Sequence, residues 1–146
     1  MFLLICNFIK MKTKIFLNLP VKDLNKAVAF YNELGFSTNP KFTNEKGACL
    51  VIDENIFVML LVEEFYKTFT EKQICDAATT SEVLISISLD SREQVDEIIE
   101  KAIKAGGVDY IPAKDYGWMY QRTFLDVDNH HWEVFYMDES KIRNEM

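Results

Sequence analysis

Two adjacent histidines, His130 and His131, and a glutamate two positions on, Glu133, form the most chemically capable cluster in the sequence. They sit at the head of an alternating run, HWEVFYM (131–137), which reads as a β-strand. Period-two parity puts His131, Glu133 and Phe135 on one face and Trp132, Val134 and Tyr136 on the other. A carboxylate beside an imidazole can hold or move a proton. Glu133 is therefore expected to act as a general base or a polar anchor for ligand, with His131 as its partner; these two are the catalytic candidates. The bland alternative is a structural carboxylate, paired to Arg122 or solvated, beside a histidine that only holds its strand. His130 belongs to the preceding turn and is expected in solvent.

The ligand-binding candidates are more scattered. Asn18 interrupts an apolar strand, and a buried amide needs partners in the protein or in a ligand. Phe16 lies on the same strand face, and Leu84 holds a comparable position in the second half of the chain. Phe57 and Met59 are placed with them by parity alone. Tyr116, Trp118 and Tyr120 crowd the segment around Gly117 and lead into Gln121, Arg122 and Thr123. Aromatic walls with a few polar tips suit a small-molecule pocket. They equally suit a core or a subunit interface. Parity in this strand is open: either Gln121 and Thr123 or Tyr120 and Arg122 point inward.

Several chemistries are excluded by composition. Two histidines cannot build a three-histidine zinc site, and HExxH and CxxC are both absent. The three cysteines, Cys6, Cys49 and Cys75, are far apart and read as reduced, buried thiols of a cytoplasmic protein. No Gly-rich phosphate loop occurs among only five glycines. A net charge of −7 gives no general attraction for nucleic acid or an anionic membrane. A small molecule is the expected partner, and no cofactor is implied.

The elements that position these residues follow a repeat. Residues 14–20 read as a strand, with Asp23 at a helix N-cap position. Leu24, Ala27, Val28, Tyr31 and Leu34 then form an apolar helical stripe ended by Gly35. Strands are expected near 36–43, 48–52 and 56–62. Residues 82–89 begin the same order again. Asp90 or Ser91 caps a helix, and Val95, Ile98, Ile99, Ala102 and Ile103 make its stripe. Gly106-Gly107 end it, and strands near 108–111, 119–126 and 131–137 follow. The two strand–helix–strand–strand–strand units lie about seventy residues apart. The expected organisation is an N-terminal extension (1–12), one domain (13–138) and a C-terminal tail (139–146). Within the domain, module one is 13–62, a polar linker is 63–80 and module two is 81–138. The apolar run 1–9 is too short to span a bilayer and lacks a basic start, so Met11 is expected to be the natural start.

The paired modules, the segment LPVKDLNKAVAFYNELGF (19–36) and the stretch YGWMYQRTFLDVDNHHWEVFYMD (116–138) resemble the vicinal oxygen chelate superfamily. That superfamily contains glyoxalase I, extradiol dioxygenases and the fosfomycin- and bleomycin-resistance proteins. The glyoxalase-like branch often labelled predicted lactoylglutathione lyase is the nearest in pattern. The resemblance implies an α+β fold. Two βαβββ modules would form a curved mixed sheet around a cavity, with helices on the outer face, and the protein would be a homodimer. It also implies where metal ligands would stand: on the first strand, on the strand opening the second half, and at the glutamate of the last strand. Those positions hold Phe16, Leu84 and Glu133. Phenylalanine and leucine cannot coordinate a divalent cation, so no metal site is expected. The leading expectation is a protein that binds a small, partly apolar or aromatic molecule without the superfamily's metal. The rival is a glyoxalase-type lyase or isomerase, using unrecognised ligands or working metal-free through Glu133.

Overall fold

In the computed structural model, residues 12–142 are described. Cys6, Met11 and nearly all of the expected N-terminal extension lie outside them, as does the end of the C-terminal tail. The first module runs β1 (Ile15–Val21), α1 (Leu24–Glu33), β2 (Ser37–Asn39), β3 (Gly47–Asp53) and β4 (Ile56–Val62). A short helix, α2 (Glu63–Tyr66), and a 3-10 turn at Lys67–Phe69 open the inter-module segment. The second module runs β5 (Leu84–Ser88), α3 (Arg92–Lys104), β6 (Val108–Asp115), β7 (Met119–Leu125) and β8 (His131–Met137). Both are βαβββ units with the same strand arrangement, β1-β4-β3-β2 and β5-β8-β7-β6. The first and last strands of each module run parallel because a helix connects the first strand to the rest.

Local chemistry accounts for the boundaries. The Asp23 side chain accepts from the Lys26 amide and starts α1, and Ser91 accepts from the Gln94 amide and starts α3. Gln94 Oε1 accepts in return from the Asp90 amide, so of the two expected cap candidates Ser91 is the cap and Asp90 contributes only its backbone N–H. Gly106 leaves α3 at φ +103°, a left-handed conformation that favours glycine. The strand expected over 36–43 stops at Asn39. Pro40 has no amide to give to a ladder, and the Asn39 side chain accepts from the Lys41 amide, turning the chain into a 3-10 turn. β6 is longer than expected. It is an edge strand, and its register shifts on both sides of Ile111 accommodate Pro112.

Each module holds its own four-stranded sheet, and a shared core joins them. Leu19, Val21, Val58 and Leu60 from the first sheet meet Ala27, Phe30 and Tyr31 of α1. The same cluster continues through Val95, Ile99 and Ala102 of α3 into Phe124, Trp132 and Val134 of the second sheet. Phe30 and Tyr31 bridge the modules: Phe30 lies 6.1 Å from the Phe124 ring and Tyr31 lies 5.7 Å from Trp132. Burial of such large aromatic groups carries much of the hydrophobic stabilisation. The opposite face of each sheet bears no helix of its own module, and Phe16 and Leu84 stand there exposed. Cys49 is buried as expected. Cys75 is exposed instead, because it lies in the inter-module segment rather than in a strand.

Candidate functional site

Strand register defines two equivalent faces. In the second module Leu84 pairs with His131 and Ser86 with Glu133, while Thr123 and Gln121 lie across from Glu133 and Phe135. In the first module the corresponding pairs are Phe16 with Phe57 and Asn18 with Met59. Phe16 and Phe57 stack at 4.8 Å between ring centroids. Of these paired positions only those of the second module carry ionisable side chains, and there Ser86 Oγ donates to Glu133 Oε2 at 2.5 Å. His131 Nε2 lies 3.9 Å from Glu133 Oε1; it is buried and has no hydrogen-bond partner among the described residues. Tyr110 meets the His131 ring edge-on at 5.6 Å.

Register also closes the open parity of β7. Gln121 and Thr123 share the Glu133 face. Tyr120 and Arg122 lie on the α3 side: Tyr120 donates to Asp96 at 2.7 Å, and Arg122 bridges Asp96 at 2.8 Å and Asp109 at 2.7 Å. Arg122 is therefore a structural cation tying α3 to the second sheet, and it is not the partner of Glu133. Tyr116 and Trp118 lie 6.4 Å apart at the β6–β7 turn. That turn is held by a bidentate bond from Arg92 to Asp115 at 2.6 and 2.9 Å. The guanidinium holds the Asp115 carboxyl down at about 2.

A cavity of about 400 Å³ opens beside these groups, between the modules and beneath residues 70–83. Of the expected site residues, only Asn18 and His131 line it. Phe16, Phe57, Met59, Leu84, Glu133 and the 116–123 group do not. Glu133 stands behind His131, so the imidazole is the group that meets both cavity and carboxylate. The remaining wall includes Tyr66, Ile74, Ala77 and Val83 from the inter-module segment, with Tyr110 and Leu125 from the second sheet. A second hollow of about 460 Å³ adjoins it on the other side of residues 73–78.

Three sets of bonds shape this cavity. Asp76 organises the covering segment: its carboxylate accepts from the Ala78 amide at 3.1 Å, and its carbonyl accepts from the Thr80 hydroxyl at 2.7 Å. The β7–β8 turn is fixed from below by Asp126, which accepts from the amides of Asp128 and His130 and from the Tyr31 hydroxyl. Burial pushes the Asp126 carboxyl up. Burial, with the nearby Asp126 charge, pushes the Tyr31 hydroxyl well above its ordinary value. The modules are then joined at the rim. The Lys22 amide donates to Asp128 at 3.0 Å, and His130 Nε2 donates to the Pro20 carbonyl at 2.7 Å. His130 is accordingly half-buried and structural, not in solvent as its turn position suggested. Sequence reasoning missed the wall residues of 70–80 because polar, aperiodic chain reads as connector, and it placed Glu82 and Val83 in the opening strand of the second module, which begins only at Leu84.

The metal that the resemblance implies does not fit this donor set. Phe16 and Leu84 offer no lone pair, and beside Glu133 stand His131 and the hydroxyls of Ser86 and Thr123, the latter two poor ligands for a divalent cation. Among the described residues no group of three His, Cys, Asp or Glu side chains converges.

The comparisons agree with this architecture. A family model described as bleomycin resistance protein-like N-terminal matches residues 13–53. No curated protein matches the chain. Among solved structures, a hypothetical protein from S. aureus is similar at 27% identity and TM-score 0.74, over 84% of this chain and 92% of that one. A glyoxalase/bleomycin resistance protein/dioxygenase family enzyme from Burkholderia phytofirmans PsJN has 19% identity and TM-score 0.70, over 84% of this chain and 96% of that one. A genomically encoded fosfomycin resistance protein from Listeria monocytogenes has 21% identity and TM-score 0.61, over 86% of this chain and 93% of that one.

Proposed function

We propose that the chain is a ligand-binding member of the vicinal oxygen chelate superfamily, whose fold it shares, and that it takes a small, partly apolar or aromatic molecule without a chelated metal. The observation that carries this reading is the cavity beneath residues 70–83. Its volume is within the roughly 300–1,000 Å³ of small-molecule sites. Its walls mix apolar side chains (Ile74, Ala77, Val83, Leu125) with a few polar groups, Asn18 and His131 among them. The glyoxalase/bleomycin-resistance fold supports a binding role, because it presents curved sheet faces to a bound molecule. The ligand would lie against the aromatic rings of Tyr66 and Tyr110, with His131 fixing its orientation and Glu133 fixing His131.

One further observation favours turnover. The His131–Glu133 pair can shuttle a proton in the manner of an imidazole oriented by a carboxylate. A glyoxalase-type lyase or isomerase, lactoylglutathione lyase-like, would use His131 as acid and base in a metal-free reaction.

A homodimer belongs to the same reading. Ile15, Phe16 and Leu84 are 58%, 46% and 51% exposed, and β1 and β5 are edge strands. A second copy covering those faces would remove this apolar surface from water. The free thiol of exposed Cys75 accords with a reducing, cytoplasmic setting. No helix among the described residues is long and apolar enough to cross a membrane.

The test is a titration of ¹⁵N-labelled protein with a panel of aromatic fragments. Binders should shift the amides of residues 73–83 and His131 together. A panel in which those amides stay still while the protein remains folded would overturn the reading.

A further inference from the structure

The two histidines of the cavity define which hydrogen-bonding partner a ligand must bring. His130 Nε2 faces the Pro20 carbonyl at 2.7 Å. A carbonyl only accepts, so Nε2 carries a proton, and in the neutral form of the ring Nδ1 is the acceptor. His131 Nε2 faces Glu133 Oε1 at 3.9 Å from a buried position. The carboxylate, already bonded to Ser86, favours the tautomer with its proton on that side. Nδ1 is again left as the acceptor. Neither Nδ1 is bonded to, or buried by, the described residues, and both rings line the cavity. Glu82, also on the wall, offers only acceptors as a carboxylate, whereas Lys72 is the one Lys or Arg on the wall and lies exposed. The Asn18 amide and the Tyr110 hydroxyl serve in either role, whereas the Thr79 hydroxyl already donates to Asp76.

We propose that this cavity selects ring-bearing ligands that carry a hydrogen-bond donor, such as a phenol or a heteroaromatic N–H, over the same rings without one. His131 is the accepting group, and Glu133 is a positioning residue that sets its tautomer. The proposal rests on the ligand-binding reading above and names the class of ligand for that site. It assigns the sequence's strongest carboxylate a different task from general base: Glu133 acts through the imidazole and does not meet the ligand.

The experiment compares 2-naphthol with 2-methoxynaphthalene, which keeps the rings and the oxygen but loses the donor. Calorimetry on the intact protein should give about tenfold tighter binding for the naphthol, the ratio expected for one additional net hydrogen bond. His131→Leu should bring the two affinities together, chiefly by weakening the naphthol. Long-range ¹H–¹⁵N spectra of the histidine rings should show the Nε2–H tautomer for His131, and Glu133→Gln should redistribute it. Equal affinities for the two probes, with the residue 73–83 amides shifting, would overturn the donor rule and leave the ligand-binding reading intact. A selectivity that survives His131→Leu, or an Nδ1–H tautomer at His131, would also overturn the proposal. Neither probe binding, with those amides silent, would overturn both.

Discussion

Tyr31→Phe tests whether one hydroxyl joins the two modules. Tyr31 is fully buried; its hydroxyl donates to the Asp126 carboxylate and accepts from Trp132 Nε1 at 2.9 Å. Removing that oxygen keeps the ring's contacts with Phe30, Phe36 and Trp132 but leaves two buried groups short of a partner. The Trp132 N–H loses its acceptor. Asp126 keeps the amides of Asp128 and His130 but loses the bond to its other oxygen. A hydrogen bond to a charged group is worth about 1.5–3 kcal/mol, and an orphaned buried donor costs about 1–3 kcal/mol. Partial relaxation and the surviving amide bonds place the sum near 3 kcal/mol. That is a large share of the roughly 5–15 kcal/mol that stabilises a domain. With a urea slope of about 2 kcal/mol/M, the unfolding midpoint should fall by roughly 1.5 M. Adding Asp126→Asn should cost far less than its effect in the parent protein, because the groups share one network. A midpoint shift below roughly 0.3 M, with the slope unchanged, would refute the view that this hydroxyl fastens the modules.

Two other perturbations have definite expected outcomes. Gly107→Ala should destabilise by about 1–3 kcal/mol in urea unfolding, because its Cβ would lie 2.6 Å from the Leu125 carbonyl oxygen and 2.9 Å from Phe30 Cε2. Gly117→Ala meets no atom within 4 Å and should cost only the backbone term of about 1–2 kcal/mol at its positive φ. On the acid side, burial raises the folded Asp126 carboxyl above its unfolded value, so the folded state binds the extra proton. Stability contributed by this group should therefore rise as pH falls between the folded value and the ordinary carboxylate range. Parallel pH–stability curves for the parent and Asp126→Asn would show the rise only in the parent. Asp115, held at about 2, has the opposite sign, and its contribution is lost only at lower pH.

What was legible in the sequence is what local periodicity and chain punctuation control. Asp23, Ser91, Gly35 and Gly106 mark helix ends because caps act within a turn. The alternation of 131–137 put Trp132 and Val134 inward, and both are fully buried in the shared core. β7 was ambiguous for a physical reason: both of its faces carry polar groups, Gln121 and Thr123 on one and Tyr120 and Arg122 on the other. Only the ion pairs to Asp96 and Asp109 separate them, and those partners are distant in sequence. His130 misled for the same reason, since its partner is the carbonyl of Pro20 across the module junction. A cavity was expected from the paired modules, but most of its lining was not legible, because it is mainly chain that joins the repeats.

The repeat also explains why the site is one-sided. A duplicated βαβββ unit supplies two equivalent strand pairs, yet Phe16–Phe57 and Asn18–Met59 in one module stand where Leu84–His131 and Ser86–Glu133 stand in the other. A stacked aromatic pair stabilises a sheet face without offering a proton, so the first module supplies shape and the second supplies chemistry. Symmetric faces alone leave His131 at the edge of a shallow surface. The segment 70–83 precedes the second repeat's first strand, and it walls that edge into a cavity while leaving Glu133 outside the lining. Exchange of side chains on the repeated faces should therefore change stability and association first. Exchange in the inter-module segment should change which molecules bind.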